Sequence, residues 1–117
     1  MILKEFKRLR NACVYSWSGV YLSWKDAGAF RLEVCLTPIV VISTIYFARS
    51  KVDLVILLTT WFFVLLAELI NTAIEAVTDL ACGGDYHQLA KKAKDCGSAA
   101  VTGAILVFIL SWIILVF

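Results

Sequence analysis

Glu68, Asn71, Glu75 and Asp79 stand three, four and four residues apart, which is the spacing of one face of an α-helix. Every residue from Leu54 to Ala67 is uncharged, so this acidic stripe opens where a long apolar run ends. Carboxylates at membrane depth are costly and normally face a bundle interior or a polar cavity. Glu68 is the deepest of the three. Acids in such a row can hold a divalent cation through oxygen ligands, relay protons, or take a proton as a general base. In the plain structural alternative, Asn71 and the carboxylates only hydrogen-bond neighbouring helices. Three acids on one face argue against so modest a job.

A second group follows: Asp85, Tyr86 and His87, then Lys91, Lys92, Lys94 and Asp95. A lysine near metal-binding carboxylates suits an anionic, phosphorylated ligand, which it meets as a point charge. Lys91 and Lys92 read more simply as solvated loop charges, and a lone histidine such as His87 carries little by itself. Familiar nucleotide signatures are missing. There is no GxxxxGK[ST], Gly83-Gly84 is too sparse for a phosphate loop, and the soluble kinases' motif set is absent. Phosphoryl transfer would need a different scaffold. The four cysteines form no CxxC or Cys/His pairing, which argues against zinc, and Cys35 reads as a small hydrophobe.

The elements that position these residues follow from composition. Of 117 residues, 62% are hydrophobic and 17% charged, against roughly 45–50% and 25% in soluble domains. One domain of this length could not bury that excess, so a membrane is its solvent. The sequence predicts an all-α membrane protein with spans at about 30–48, 54–80 and 96–117. The first apolar stretch, Val34 to Ala48, carries Pro38 near its start and needs Phe30 to Glu33 to approach full length. Gly83-Gly84 reads as a helix stop and turn. Gln88 to Asp95 reads as an early start of the last helix.

Residues 1–24 read as an amphipathic surface helix. Ile2, Phe6, Leu9, Cys13 and Trp17 share a face, with Lys4, Lys7, Arg8 and Asn11 elsewhere on the wheel. Six of the eleven basic residues precede the first long apolar run, and three more lie between 81 and 95. These basic residues are too sparse for a nucleic-acid footprint, so no nucleic-acid partner is expected. By the positive-inside rule, the N-terminus and the 81–95 loop face the cytoplasm. No basic-then-apolar leader opens the chain.

With these residues in hand, the chain resembles the prokaryotic diacylglycerol kinases, small integral-membrane lipid kinases of bacteria. Glu68-Leu-Ile-Asn71-Thr72-Ala73-Ile74-Glu75 through Asp79 fits the family's E-x-x-N-[ST]-A-I-E-x-x-x-D signature. Tyr86-His87 and Ala93-Lys94-Asp95-Cys96-Gly97-Ser98-Ala99-Ala100-Val101 extend the likeness. So do Tyr15-Ser16-Trp17-x-Gly19 and Ala29-Phe30-Arg31-x-Glu33. The resemblance implies a homotrimer in the bacterial inner membrane that phosphorylates a lipid hydroxyl, with ATP as co-substrate and Mg2+ as cofactor. Glu68 would be the general base and Asn71 would position groups beside it. Glu75 would bind the metal. Lys94 and Asp95 would contact the nucleotide, with Asp79, Tyr86 and His87 lining its site and Arg8 and Tyr15 near it.

The family usually carries a glutamate three residues before the phenylalanine of Ala-Phe-Arg. Here that position is Ala27, with Asp26 beside it. On a helix, a one-residue shift turns a side chain by about 100°. Asp26 can therefore serve as a metal ligand only if the chain before Phe30 is not regular helix. Asn11 and Leu32 also depart from the family's usual lysine and glutamine. Diacylglycerol is the favoured acceptor on the Lys94 to Val101 segment, with undecaprenol or another lipid alcohol as the alternative. Ala27 also leaves open a catalytically weakened protein that binds lipid or nucleotide. A transporter using the acidic stripe as a proton relay would leave the lysine-rich loop unexplained.

Overall fold

The computed structural model describes all residues, 1–117, as four α-helices without a strand. Helix α1 spans Ile2–Asp26, α2 Gly28–Phe47, α3 Lys51–Cys82 and α4 Gln88–Val116. The all-α architecture is the one the sequence predicts, and α2, α3 and α4 are each long and apolar enough to cross a membrane.

Helix length separates membrane from site. A bilayer core takes about 20 helical residues. Helix α2 has 20, whereas α3 has 32 and α4 has 29. About 20 residues counted from Lys51 reach Ile70, and about 20 counted back from Val116 reach Gly97. Both helices thus exceed a bilayer core, which leaves room for Glu75 and Asp79 on α3, and Lys91 to Asp95 on α4, to lie at its boundary.

Local chemistry sets each boundary. The Ser50 side chain caps α3 by accepting the Asp53 backbone N–H at 3.1 Å. Helix α3 stops at Gly83, whose φ of 57° and ψ of 27° are left-handed, and its N–H donates to the Asp79 carbonyl at 3.0 Å. Gly84 also has a positive φ, 89°. His87 then caps α4, its Nδ1 accepting the Leu89 N–H at 3.1 Å. The polar segment from Gln88 to Asp95 is indeed the first part of that helix.

Pro38 sits deeper than the apolar run suggests. Helix α2 opens at Gly28, so the proline stands mid-helix and leaves the Val34 carbonyl without its usual donor. One residue earlier, Thr37 clamps this weak point. Its Oγ1 donates to the Glu33 carbonyl at 2.9 Å and accepts the Trp61 Nε1–H at 3.0 Å, tying α2 to α3.

The buried face of α3 is one heptad-spaced stripe: Leu57, Trp61, Val64, Glu68 and Asn71. Its apolar half meets the Phe108 ring of α4, which lies 5.1 Å from Trp61, and Thr44 of α2 is fully buried. Phe108, Trp112 and Phe47 continue the aromatic cluster in edge-on contacts of 6.2 Å. The polar half of the same stripe enters the candidate site. Only ten of 117 residues are buried, so most apolar side chains face outward, a state stable in hydrocarbon or against further subunits. Helix α1 has a single buried residue, Ser23, and carries Phe6, Leu9, Tyr15 and Trp17 exposed.

At the far end from the acids, Arg49 Nη2 donates to the Val116 carbonyl at 2.8 Å, satisfying the C-terminus of α4. A hydrogen bond from a charged donor is worth about 1.5–3 kcal/mol when sheltered, and the partial exposure of this one puts it at the low end. Arg49→Ala is expected to lower the thermal midpoint in micelles by a few degrees. An unchanged midpoint would show that the bond contributes nothing.

Candidate active site

Where α1 hands over to α2, a cavity of about 440 Å³ opens between all four helices. Asp26 to Ala29 line it at the joint, Glu33 from α2, and Glu68, Asn71 and Glu75 from α3, with Ser98 and Thr102 opposite on α4. Glu68 and Asn71 are only 6% and 7% exposed. Asn71 Nδ2 donates to Glu75 Oε1 at 3.1 Å, fixing one carboxylate from another turn of the same helix. Asn71 Oδ1 and Glu33 Oε2 are buried and have no hydrogen-bond partner. Unsatisfied buried polar atoms are rare, and two of the four in this chain face this one region.

The joint itself is a true helix break. Ala27 adopts φ −99° and ψ 107°, an extended conformation that closes α1 and opens α2. Its N–H donates to the Ser23 carbonyl at 2.8 Å, and its carbonyl accepts the Arg31 N–H at 3.1 Å. The helix before Phe30 is therefore interrupted at Ala27 alone, and Asp26 lines the cavity alongside it.

A second cavity, of about 420 Å³, lies at the ends of α3 and α4. Asp79, Cys82, Tyr86, His87, Lys94 and Asp95 are among its lining residues. Lys94 forms an ion pair with Asp79 across the two helices, and Lys91 pairs with Asp95 along α4. Glu75 lines the first cavity and Asp79 the second. The two are one helical turn apart, about 6 Å along the axis. The acidic stripe is thus shared between a deeper pocket, at the α1–α2 joint, and an outer one, at the ends of α3 and α4.

The sequence profile of the family described as prokaryotic diacylglycerol kinase matches residues 14–116, almost the whole chain. This chain belongs to the prokaryotic diacylglycerol kinase family. Among its relatives is the diacylglycerol kinase of Escherichia coli strain K12, 38% identical over 110 residues, covering 94% of this chain and 89% of that protein. A Helicobacter pylori diacylglycerol kinase is 37% identical over 109 residues, covering 93% and 84%. One from Haemophilus influenzae is 33% identical over 104 residues, covering 89% and 87%. The match spans three membrane-crossing helices and both cavities.

Within this kinase family frame, the predicted site residues divide into three groups. Asp26, Glu68, Asn71 and Glu75 meet in the deep cavity. Asp79, Tyr86, His87, Lys94 and Asp95 meet in the outer one. Arg8 and Tyr15 line neither: both are exposed on α1, Tyr15 by 70%. Glu33 was not singled out from the sequence, although it shares the deep cavity with Glu68. Its signal was spacing, because Phe30, Glu33, Thr37 and Thr44 fall on one inward stripe of α2 whose ends, Phe30 and Thr44, are buried. Ser98 and Thr102 were also unassigned.

No three His, Cys, Asp or Glu side chains converge closely enough to form a metal cage on their own. The donor set fits Mg2+ held together with a nucleotide, since that ion keeps several waters and takes one or two carboxylates plus substrate phosphates. Glu75 and Asp26, which line this cavity, are the carboxylates that would hold it.

Proposed function

We propose that this chain transfers the γ-phosphoryl group of ATP to the hydroxyl of a membrane lipid, with diacylglycerol as the acceptor, phosphatidic acid as the product and Mg2+ as the cofactor. The observation that carries this reading is the meeting of a buried carboxylate, Glu68, with Glu75 and Asp26 in one cavity, one turn from the Asp79–Lys94 pair.

Glu68 accepts the lipid hydroxyl proton. The freed oxygen forms its bond to the γ-phosphorus as the bond to the departing ADP oxygen breaks. Glu75 and Asp26 would hold Mg2+, which supplies charge neutralisation at the phosphates. Asn71 keeps Glu75 aimed. Lys94, Asp95, Asp79, Tyr86 and His87 bind the nucleotide. Little covalent chemistry is asked of the protein, because phosphoryl transfer rests mainly on positioning and charge stabilisation.

The whole chain, residues 1–117, acts as one membrane-embedded lipid kinase domain in the bacterial inner membrane, with its N-terminus cytoplasmic. Three copies assemble. Arg8 and Tyr15 stand outside both cavities of their own protomer, which supports a site completed by the surface helix of a neighbour. The outward apolar faces of α2 to α4 leave room for such contacts.

Purified protein, MgATP and dioleoylglycerol in mixed micelles test the reading, beside a panel of other lipid alcohols. Phosphatidic acid is the expected product. Turnover of undecaprenol alone would move the acceptor, and no turnover of any lipid alcohol would overturn the kinase reading.

A further inference from the structure

Beside the deep cavity, α4 packs against Asn71 and Ile74 of α3 at Gly97, one of the few buried residues. A Cβ placed there would collide with Asn71 Oδ1, and would lie 3.3 Å from Asn71 Cγ and 3.5 Å from Ile74 Cδ1. The Asn71 side chain thus occupies the space that any other residue at 97 would fill. Its Oδ1 faces that glycine without a hydrogen-bond partner, and its Nδ2 holds Glu75 at 3.1 Å. A Cβ at residue 97 would displace this amide, and with it the hydrogen bond that its Nδ2 donates to Glu75. Gly103, six residues further along α4, has nothing within 4 Å of its own Cβ position. The demand for glycine is therefore local to residue 97 and is not a general property of the helix.

We infer that Gly97 is a positioning residue, whose missing side chain seats Asn71 between α3 and α4 and so keeps Glu75 aimed at the metal and phosphates. This rests on the metal role given to Glu75 above. It assigns the glycine to the reaction through the carboxamide, which touches both Gly97 and Glu75.

The test uses the full chain in micelles and four variants: Gly97→Ala, Gly103→Ala, Asn71→Ala and the double Gly97→Ala/Asn71→Ala. Thermal midpoints are read for all, together with Mn2+ binding by electron paramagnetic resonance in the presence of a non-hydrolysable ATP analogue. Gly97→Ala should weaken Mn2+ binding about 10- to 100-fold, as removal of outer-shell support does. Its KM for lipid should not move. Gly103→Ala should match the unmodified protein. In the Asn71→Ala background, Gly97→Ala should cost nothing further in either readout, since its clash partner is gone. Unchanged Mn2+ binding in Gly97→Ala, or additive losses in the double variant, would overturn the inference. If Gly97→Ala alone does not fold, the double variant must fold, and its failure would equally overturn it. Unmodified protein that binds no Mn2+ rejects the metal reading instead, while the melting cycle still decides whether Gly97 seats Asn71.

Discussion

Glu68→Gln is expected to reduce lipid phosphorylation by about 10²- to 10⁴-fold, the usual contribution of a positioned general base. The substitution is nearly isosteric, so the loss should fall on turnover, with the KM values for lipid and nucleotide little changed. Stability should not suffer. Glu68 is only 6% exposed and shares its cavity with Glu33, Glu75 and Asp26, so removing one carboxylate relieves like-charge crowding. Thermal midpoint and helical circular dichroism should equal or exceed those of the unmodified protein. Turnover within a fewfold of the original would exclude Glu68 as the base. A folded variant without activity is the result the mechanism requires. Glu33→Gln is the informative companion, because both acids line the cavity but Glu33 is assigned no proton to take. Similar collapse in both variants would mean that the cavity's acids act as a unit, and that the proton cannot be assigned to one of them.

Much of this arrangement is legible in the sequence because helices in a membrane follow simple periodicities. The spacing of Glu68, Asn71, Glu75 and Asp79 defines a face, and apolar run lengths define three spans. What periodicity does not carry is the depth at which partners meet. The stripe is continuous in sequence, yet the structure divides it between two cavities because Lys94 of α4 meets it only at Asp79. Glu33 escaped notice for the opposite reason. It enters the sequence only as part of the Ala-Phe-Arg-x-Glu motif, and the inward stripe from Phe30 to Thr44 reveals which way it faces. Pro38 stands mid-helix because an apolar run marks where hydrocarbon begins and not where the helix does. Arg8 and Tyr15 lie outside both cavities of a single protomer, so their proposed role depends on contacts between chains.

Asp26→Asn is expected to raise the Mg2+ concentration needed for half-maximal turnover and to lower kcat/KM for MgATP. The loss should be at least the 10- to 100-fold typical of removing a ligand's support. On a continuous helix, a carboxylate one position from the usual one would point about 100° away. Here the chain leaves the helix at Ala27, and residues 26 to 29 line the cavity together. A side chain at either 26 or 27 can therefore present its carboxylate to the same space. Two consequences separate this account from a protein weakened by Ala27. Ala27→Glu in the Asp26→Asn background should restore the Mg2+ response, because the charge returns one position away within one cavity. Ala27→Glu alone should gain little, or lose activity, since it adds a further acid to a cavity that already holds Asp26, Glu33, Glu68 and Glu75. If Asp26→Asn keeps the original Mg2+ response, Asp26 is not a ligand and Glu75 is left as the sole protein carboxylate on the metal. If Ala27→Glu alone raises turnover sharply, the extended joint has not compensated for the missing glutamate, and this chain works below the capacity of its own scaffold.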